Sequence, residues 1–207
     1  MYHHQQQPRA KNRSLDQKRE PEKAILMNPT QRALDNIISC QTSLSEVLDL
    51  RKGNQWIPPV YQQLQFILLL VEVSLTKTRD FVHHDGSEQD VELAVKITNV
   101  TDAIDQKTDE LLKILQDVKT TLSVSKWKAM FVSTNISWRQ GRVREIMDKI
   151  MTYQVLLLRA GAPPLTTGEV ADLVEKSGIQ MDWRIEEHLT DLKVREIRFY
   201  LHGTNVQ

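Results

Sequence analysis

The residues of this chain that could take part in chemistry are spaced in ways that favour structure over catalysis. His83, His84 and Asp85 are metal-ligand types, but consecutive side chains diverge on a helix and a metal needs ligands that converge. Their order suits a solvated loop better. Asp102, Asp105, Asp109 and Glu110 lie among lysines at helical spacing, which is the pattern of a hydrated helix flank and not of a catalytic carboxylate pair. Cys40, the single cysteine, cannot form an internal disulfide, and it falls in an amphipathic stretch where a small buried side chain fits. The seven glycines are scattered, so no cluster of them could bring backbone amides round a phosphate. No serine or cysteine shares a motif with a histidine and an acid. The chain therefore reads as non-enzymatic, with no catalytic, cofactor-binding or metal-binding residue assigned.

One patch carries more information. Between residues 126 and 144 stand Lys126, Lys128, Arg139, Arg142 and Arg144 with the aromatics Trp127, Phe131 and Trp138, and no acid. Cations that pair with phosphates and aromatics that stack on bases suit single-stranded nucleic acid. The same residues also suit a core of tryptophans rimmed by cations, and that plainer reading carries more weight. Together with the basic tail of residues 1–24, the patch keeps nucleic-acid binding as the alternative function.

Residues 1–24 are polar and mildly basic, with too little apolar surface to offset ordering entropy, and are expected to form a disordered tail. Asn28-Pro29 has the form of a helix start, followed by Leu34, Ile37, Ile38, Leu44, Val47 and Leu48 at helical spacing as far as Gly53. Pro58-Pro59 opens a second stripe of Leu64, Ile67, Leu68, Val71 and Leu75, so residues 25–86 read as a helical hairpin. The apolar run from Phe66 to Val71 is far shorter than the roughly 30 Å of hydrocarbon in a bilayer requires, and no membrane partner is expected.

Residues 87–124 contain a seven-residue repeat. Ile97, Ile104, Leu111 and Val118 form one column, and Ala94, Thr101, Thr108, Leu115 and Leu122 the other. Buried threonine hydroxyls need partners, which weakens the second column as a seam. The spacing nonetheless predicts a coiled coil through which copies of the chain associate, with Ile97, Ile104, Leu111, Leu115, Val118 and Leu122 as the contact. Residues 125–161 read as a helix carrying the basic and aromatic patch and, further on, a stripe of Val143, Ile146, Met147, Ile150 and Met151. Residues 162–207 form a C-terminal module. Thr166 and Glu169 have capping-box spacing, Gly178 is a stop, Asp182 caps a last helix, and the width of its apolar face suggests that Ile185, Leu189 and Leu192 meet a partner. The fold class expected is all-α and elongated.

The run Pro164-Leu165-Thr166-x-x-Glu169-Val170-x-x-Leu173-Val174, then Gln180, then Ile185-Glu186, resembles the small first-open-reading-frame proteins of badnaviruses among the plant pararetroviruses. The mass of 24.0 kDa and the glutamine-rich start fit the larger tungrovirus form of that family. The resemblance spans the C-terminal module and is not continued in the N-terminal half, and Gly178 interrupts a stretch that the family would continue as helix. It implies a non-enzymatic viral accessory protein that is virion-associated, is found in the host cytoplasm, and has copies of itself and the capsid protein as partners.

Overall fold

The computed structural model of the protein describes residues 13–49, 58–84, 91–123, 129–179 and 182–192. They form α1 (Arg13–Asp49), α2 (Val60–His84), α3 (Val91–Ser123), α4 (Ala129–Arg159), α5 (Thr167–Ser177) and α6 (Trp183–Asp191). Among the described residues there is no strand, and the fold is all-α. No helix among them is long and apolar enough to cross a membrane.

The four long helices close into a ring in which α1 touches α2 and α3, while α4 touches α3 and α2. Side-chain pairs fix the directions. Arg32 meets Asp102 at 3.0 Å and Lys119 meets Glu46 at 2.6 Å, so residue numbers rise together and α1 and α3 run parallel. Gln41 donates to Glu72 at 2.7 Å and Arg79 to Gln31 at 3.5 Å, which makes α1 and α2 antiparallel. Arg139 lies 3.5 Å from Asp117 and Arg142 pairs with Glu110, so α3 and α4 are antiparallel as well. Parallel neighbours are possible because α2 crosses to α3 over the diagonal of the bundle.

The seven-residue repeat of α3 is used inside the chain. Ile104, Leu111, Leu115 and Val118 are fully buried, Ile97 is 2% exposed and Leu122 7%. These residues, expected as a contact between copies, share one core with Leu34, Ile37 and Leu44 of α1 and Val143, Ile146 and Ile150 of α4. A bundle and an intermolecular coiled coil want the same spacing, and here α1 and α4 of the same chain cover the stripe.

The threonines find their partners locally. Thr101 Oγ1 donates to the Ile97 carbonyl and Thr108 Oγ1 to the Ile104 carbonyl, each at 3.0 Å, so neither hydroxyl is left unmatched. Their small size also serves the α1–α3 seam. The Cys40 thiol reaches the Thr108 carbonyl at 3.2 Å, and one heptad earlier Ala33 stands at the level of Thr101. Burial, with Asp109 adding to it, pushes the Cys40 thiol up to about 12, which leaves it an inert core side chain.

Helix ends follow the local signals in most places. The Pro58 and Pro59 carbonyls accept from Tyr61, Gln62 and Gln63 and open α2. Helix α4 closes with Ala162 N–H donating to Leu157 and Gly161 N–H to Leu158, while Gly161 has φ +94°. That is a Schellman ending, which requires a left-handed residue and so favours glycine. At the first helix the structure differs from the expected start. α1 begins at Arg13 and runs through Asn28-Pro29, at the cost of the one amide bond that proline cannot make. Of the expected tail, residues 1–12 lie outside the described residues.

Candidate functional site

The C-terminal module is built onto the bundle by its caps. Thr166 Oγ1 accepts from Glu169 N–H at 3.2 Å, and the Glu169 carboxylate accepts from Thr166 N–H at 2.7 Å, completing a capping box for α5. The same carboxylate receives Lys77 of α2 at 2.9 Å, and the Lys77 ammonium also donates to the Pro164 carbonyl at 2.8 Å. One glutamate thus closes a helix start and ties it to the bundle. Burial works to raise its carboxyl, but the hydrogen bonds from Thr166 and Lys77 outweigh that and hold it below its ordinary value. Gly178, with φ +58°, ends α5 as expected from the sequence.

Asp182 caps α6 by accepting from Ile185 N–H at 3.1 Å, and it also receives Gln63 of α2 at 2.6 Å. Ile185, Leu189 and Leu192, expected to meet a partner, are 1%, 0% and 3% exposed and pack into the chain's own core. They bury α6 on the bundle because they are the apolar face of a short helix beside α4. The apolar spacing of the sequence continues through Ile197 and Leu201 to Gly203, and those residues lie outside the described ones.

Beneath α6 sits a buried polar chain that joins three helices. Gln154 of α4 donates to Ser74 Oγ at 2.7 Å and to the Leu70 carbonyl at 3.2 Å, both on α2. Its amide oxygen lies 2.8 Å from His188 Nε2. Since the Gln154 nitrogen is committed to donating, its oxygen must accept, and Nε2 is the protonated nitrogen of a neutral ring. Burial pushes the His188 ring down to about 4, which agrees with that state.

His188 also lines an open groove between α4 and α6 of about 320 Å³, walled by Asp148, Met151, Thr152 and Val155 on one side and Trp183, Arg184, Glu187 and Asp191 on the other. Trp183 is 67% exposed, the most exposed of the large apolar side chains described. The Arg184 guanidinium lies 5.4 Å from its ring centre and 3.9 Å from Asp148. That contact props the indole at the rim without covering it. Leu156, 39% exposed, stands one helical turn beyond Thr152 on the same side of α4. Sequence reasoning missed Trp183, although it sits two residues before Ile185 and so roughly 200° round the helix from the buried face. The helical wheel alone was a signal that could have placed it outward.

The basic patch divides differently. Arg139 faces Asp117 and donates to Thr121 at 3.4 Å, and Arg142 pairs with both Glu110 and Glu145. Two of the arginines expected for nucleic acid are therefore matched by carboxylates, two of which belong to α3. Arg144 is exposed. The side chains of Lys126, Trp127, Lys128, Phe131 and Trp138 lie outside the described residues. Tyr61, fully buried at the start of α2, has no hydrogen-bond partner for its hydroxyl among the described residues. No group of three or more histidine, cysteine and acidic side chains among them could hold a metal ion. His83 and His84 close α2, and Asp85 lies outside the described residues.

Compared with known proteins, the chain matches no family, no curated protein and no solved structure.

Proposed function

We propose that this chain is a non-enzymatic interaction protein, a four-helix bundle that holds α6 against α4 and offers the groove beneath Trp183 to a partner protein. The observation that carries this reading is the contrast between two apolar features. The α3 column is consumed inside the fold, whereas a tryptophan, the side chain type most enriched where proteins bind, stands 67% exposed at the rim of a groove. The resemblance of residues 164–186 to badnavirus first-open-reading-frame proteins supports a viral accessory role, in the host cytoplasm and on virions, with the capsid protein as the partner. Self-association is then assigned to the outer surface of the bundle and not to Ile104 and Leu111.

Nucleic-acid binding through residues 126–144 ranks lower, because Arg139 and Arg142 would have to exchange ion pairs for phosphates. The test of the leading reading is direct binding of the purified full chain to a badnavirus capsid protein. Trp183→Ala should weaken it by about 2 kcal/mol or more while leaving the helical signal unchanged. Equal binding by the variant would show that the groove is not the contact.

A further inference from the structure

The groove has a charge as well as a shape, and the charge says what should enter it. Asp148, Glu187 and Asp191 contribute three carboxylates to its walls, against the single guanidinium of Arg184, which already faces Asp148 at 3.9 Å. Glu187 and Asp191 are exposed, lie one helical turn apart, and have no ion pair among the described residues. Trp183 adds a π-face beside them, and a cation held near both a carboxylate and an indole is attracted by each. The floor contributes an acceptor. With Nε2 of His188 donating to Gln154, the second ring nitrogen carries a lone pair and has no hydrogen bond among the described residues, although the side chain is only 5% exposed. The two unpaired carboxylates, the indole face and the imidazole lone pair thus accept hydrogen bonds or attract positive charge, while Arg184 Nη1, buried and without a hydrogen-bond partner among the described residues, is a donor beside them.

We infer that the groove receives a basic peptide segment of a partner protein, with an arginine or lysine side chain lying against Trp183 between Glu187 and Asp191. This rests on the groove being the contact surface proposed above, and it adds the chemistry of the partner. Charge complementarity selects a cationic segment over an acidic or purely apolar one, and the open form of the groove suits a peptide better than an enclosed small molecule.

The full chain should be titrated with a capped peptide bearing two arginines, with glutamate-bearing and leucine-bearing peptides of equal length alongside, following tryptophan fluorescence at several salt concentrations. The arginine peptide should bind saturably and more weakly as salt rises, and the glutamate peptide should not bind. The Glu187→Gln, Asp191→Asn double variant should lose about tenfold in affinity or more, and Trp183→Ala a comparable amount, while Asp172→Asn on the exposed face of α5 leaves binding unchanged. Equal loss in the Asp172→Asn control, or none in the double variant, would overturn the site. If only the leucine peptide binds, and does so through Trp183, the groove remains a contact surface but its cationic partner is refuted. If no peptide binds and Trp183→Ala instead halves the particle mass in light scattering, the occupant is a second copy and the inference fails.

Discussion

His188 shows how one side chain can carry a measurable property of the whole fold. Its ring is buried, hydrogen-bonded to Gln154 and lowered from 6.5 to about 4 by loss of solvent. Between those values the unfolded chain binds a proton that the folded chain does not, so stability rises with pH across about 4 to 6.5 and is fully present above that range. Integrated over the window, the effect amounts to about 3 kcal/mol. Urea midpoints of wild type and His188→Gln, measured through that range, should show a steeper rise with pH for wild type. Parallel curves would mean that the ring stays solvated. None of this was legible in the sequence, because Gln154 and Ser74 are far from His188 along the chain and their meeting is a product of packing. Cys40 was legible, since burial follows from its place on an apolar stripe and needs no knowledge of what lies opposite.

At the scale of the element, signals that act within a few residues could be read and signals that depend on neighbours could not. Thr166 with Glu169, Gly178 and Asp182 each do what their spacing implies, because a cap is settled by the backbone beside it. Asn28-Pro29 also has the form of a cap, yet α1 passes through it, giving up the one hydrogen bond that proline cannot make, while Ala33, Leu34 and Ile37 beyond it join the core. The direction in which the α3 stripe faces was likewise hidden. Its spacing is the same whether the neighbouring helices belong to this chain or to another. Glu169 links the two kinds of signal, being both a cap and the partner of Lys77. Glu169→Gln keeps part of the cap and loses the charge, so it should cost about 1 kcal/mol and raise hydrogen exchange selectively in α5. Exchange rising uniformly through the bundle would instead show that α5 is part of the global folding unit.

For the whole molecule, the account turns on which apolar surface is internal. The parallel α1–α3 pair, with Cys40 against the Thr108 carbonyl, completes the bundle by covering the column that sequence reading assigned to another copy. What remains outward among the described residues is largely charged, with Ile38 and Val95 as isolated apolar side chains, and many of the charges are matched in pairs such as Lys119 with Glu46 and Lys149 with Glu145, each worth little to stability. Against that background the α4–α6 groove stands out, with an exposed indole and the carboxylates of Glu187 and Asp191, which have no ion pair among the described residues. The most direct test of this division is urea unfolding of wild type and Leu111→Ala at protein concentrations a hundredfold apart, with mass followed by light scattering. An internal column predicts that the substitution lowers stability by about 2–5 kcal/mol, that this loss is the same at both concentrations, and that the particle mass does not change. Midpoints that climb with concentration in wild type, together with dissociation but little loss of helix in Leu111→Ala, would contradict it and return α3 to the interface between copies.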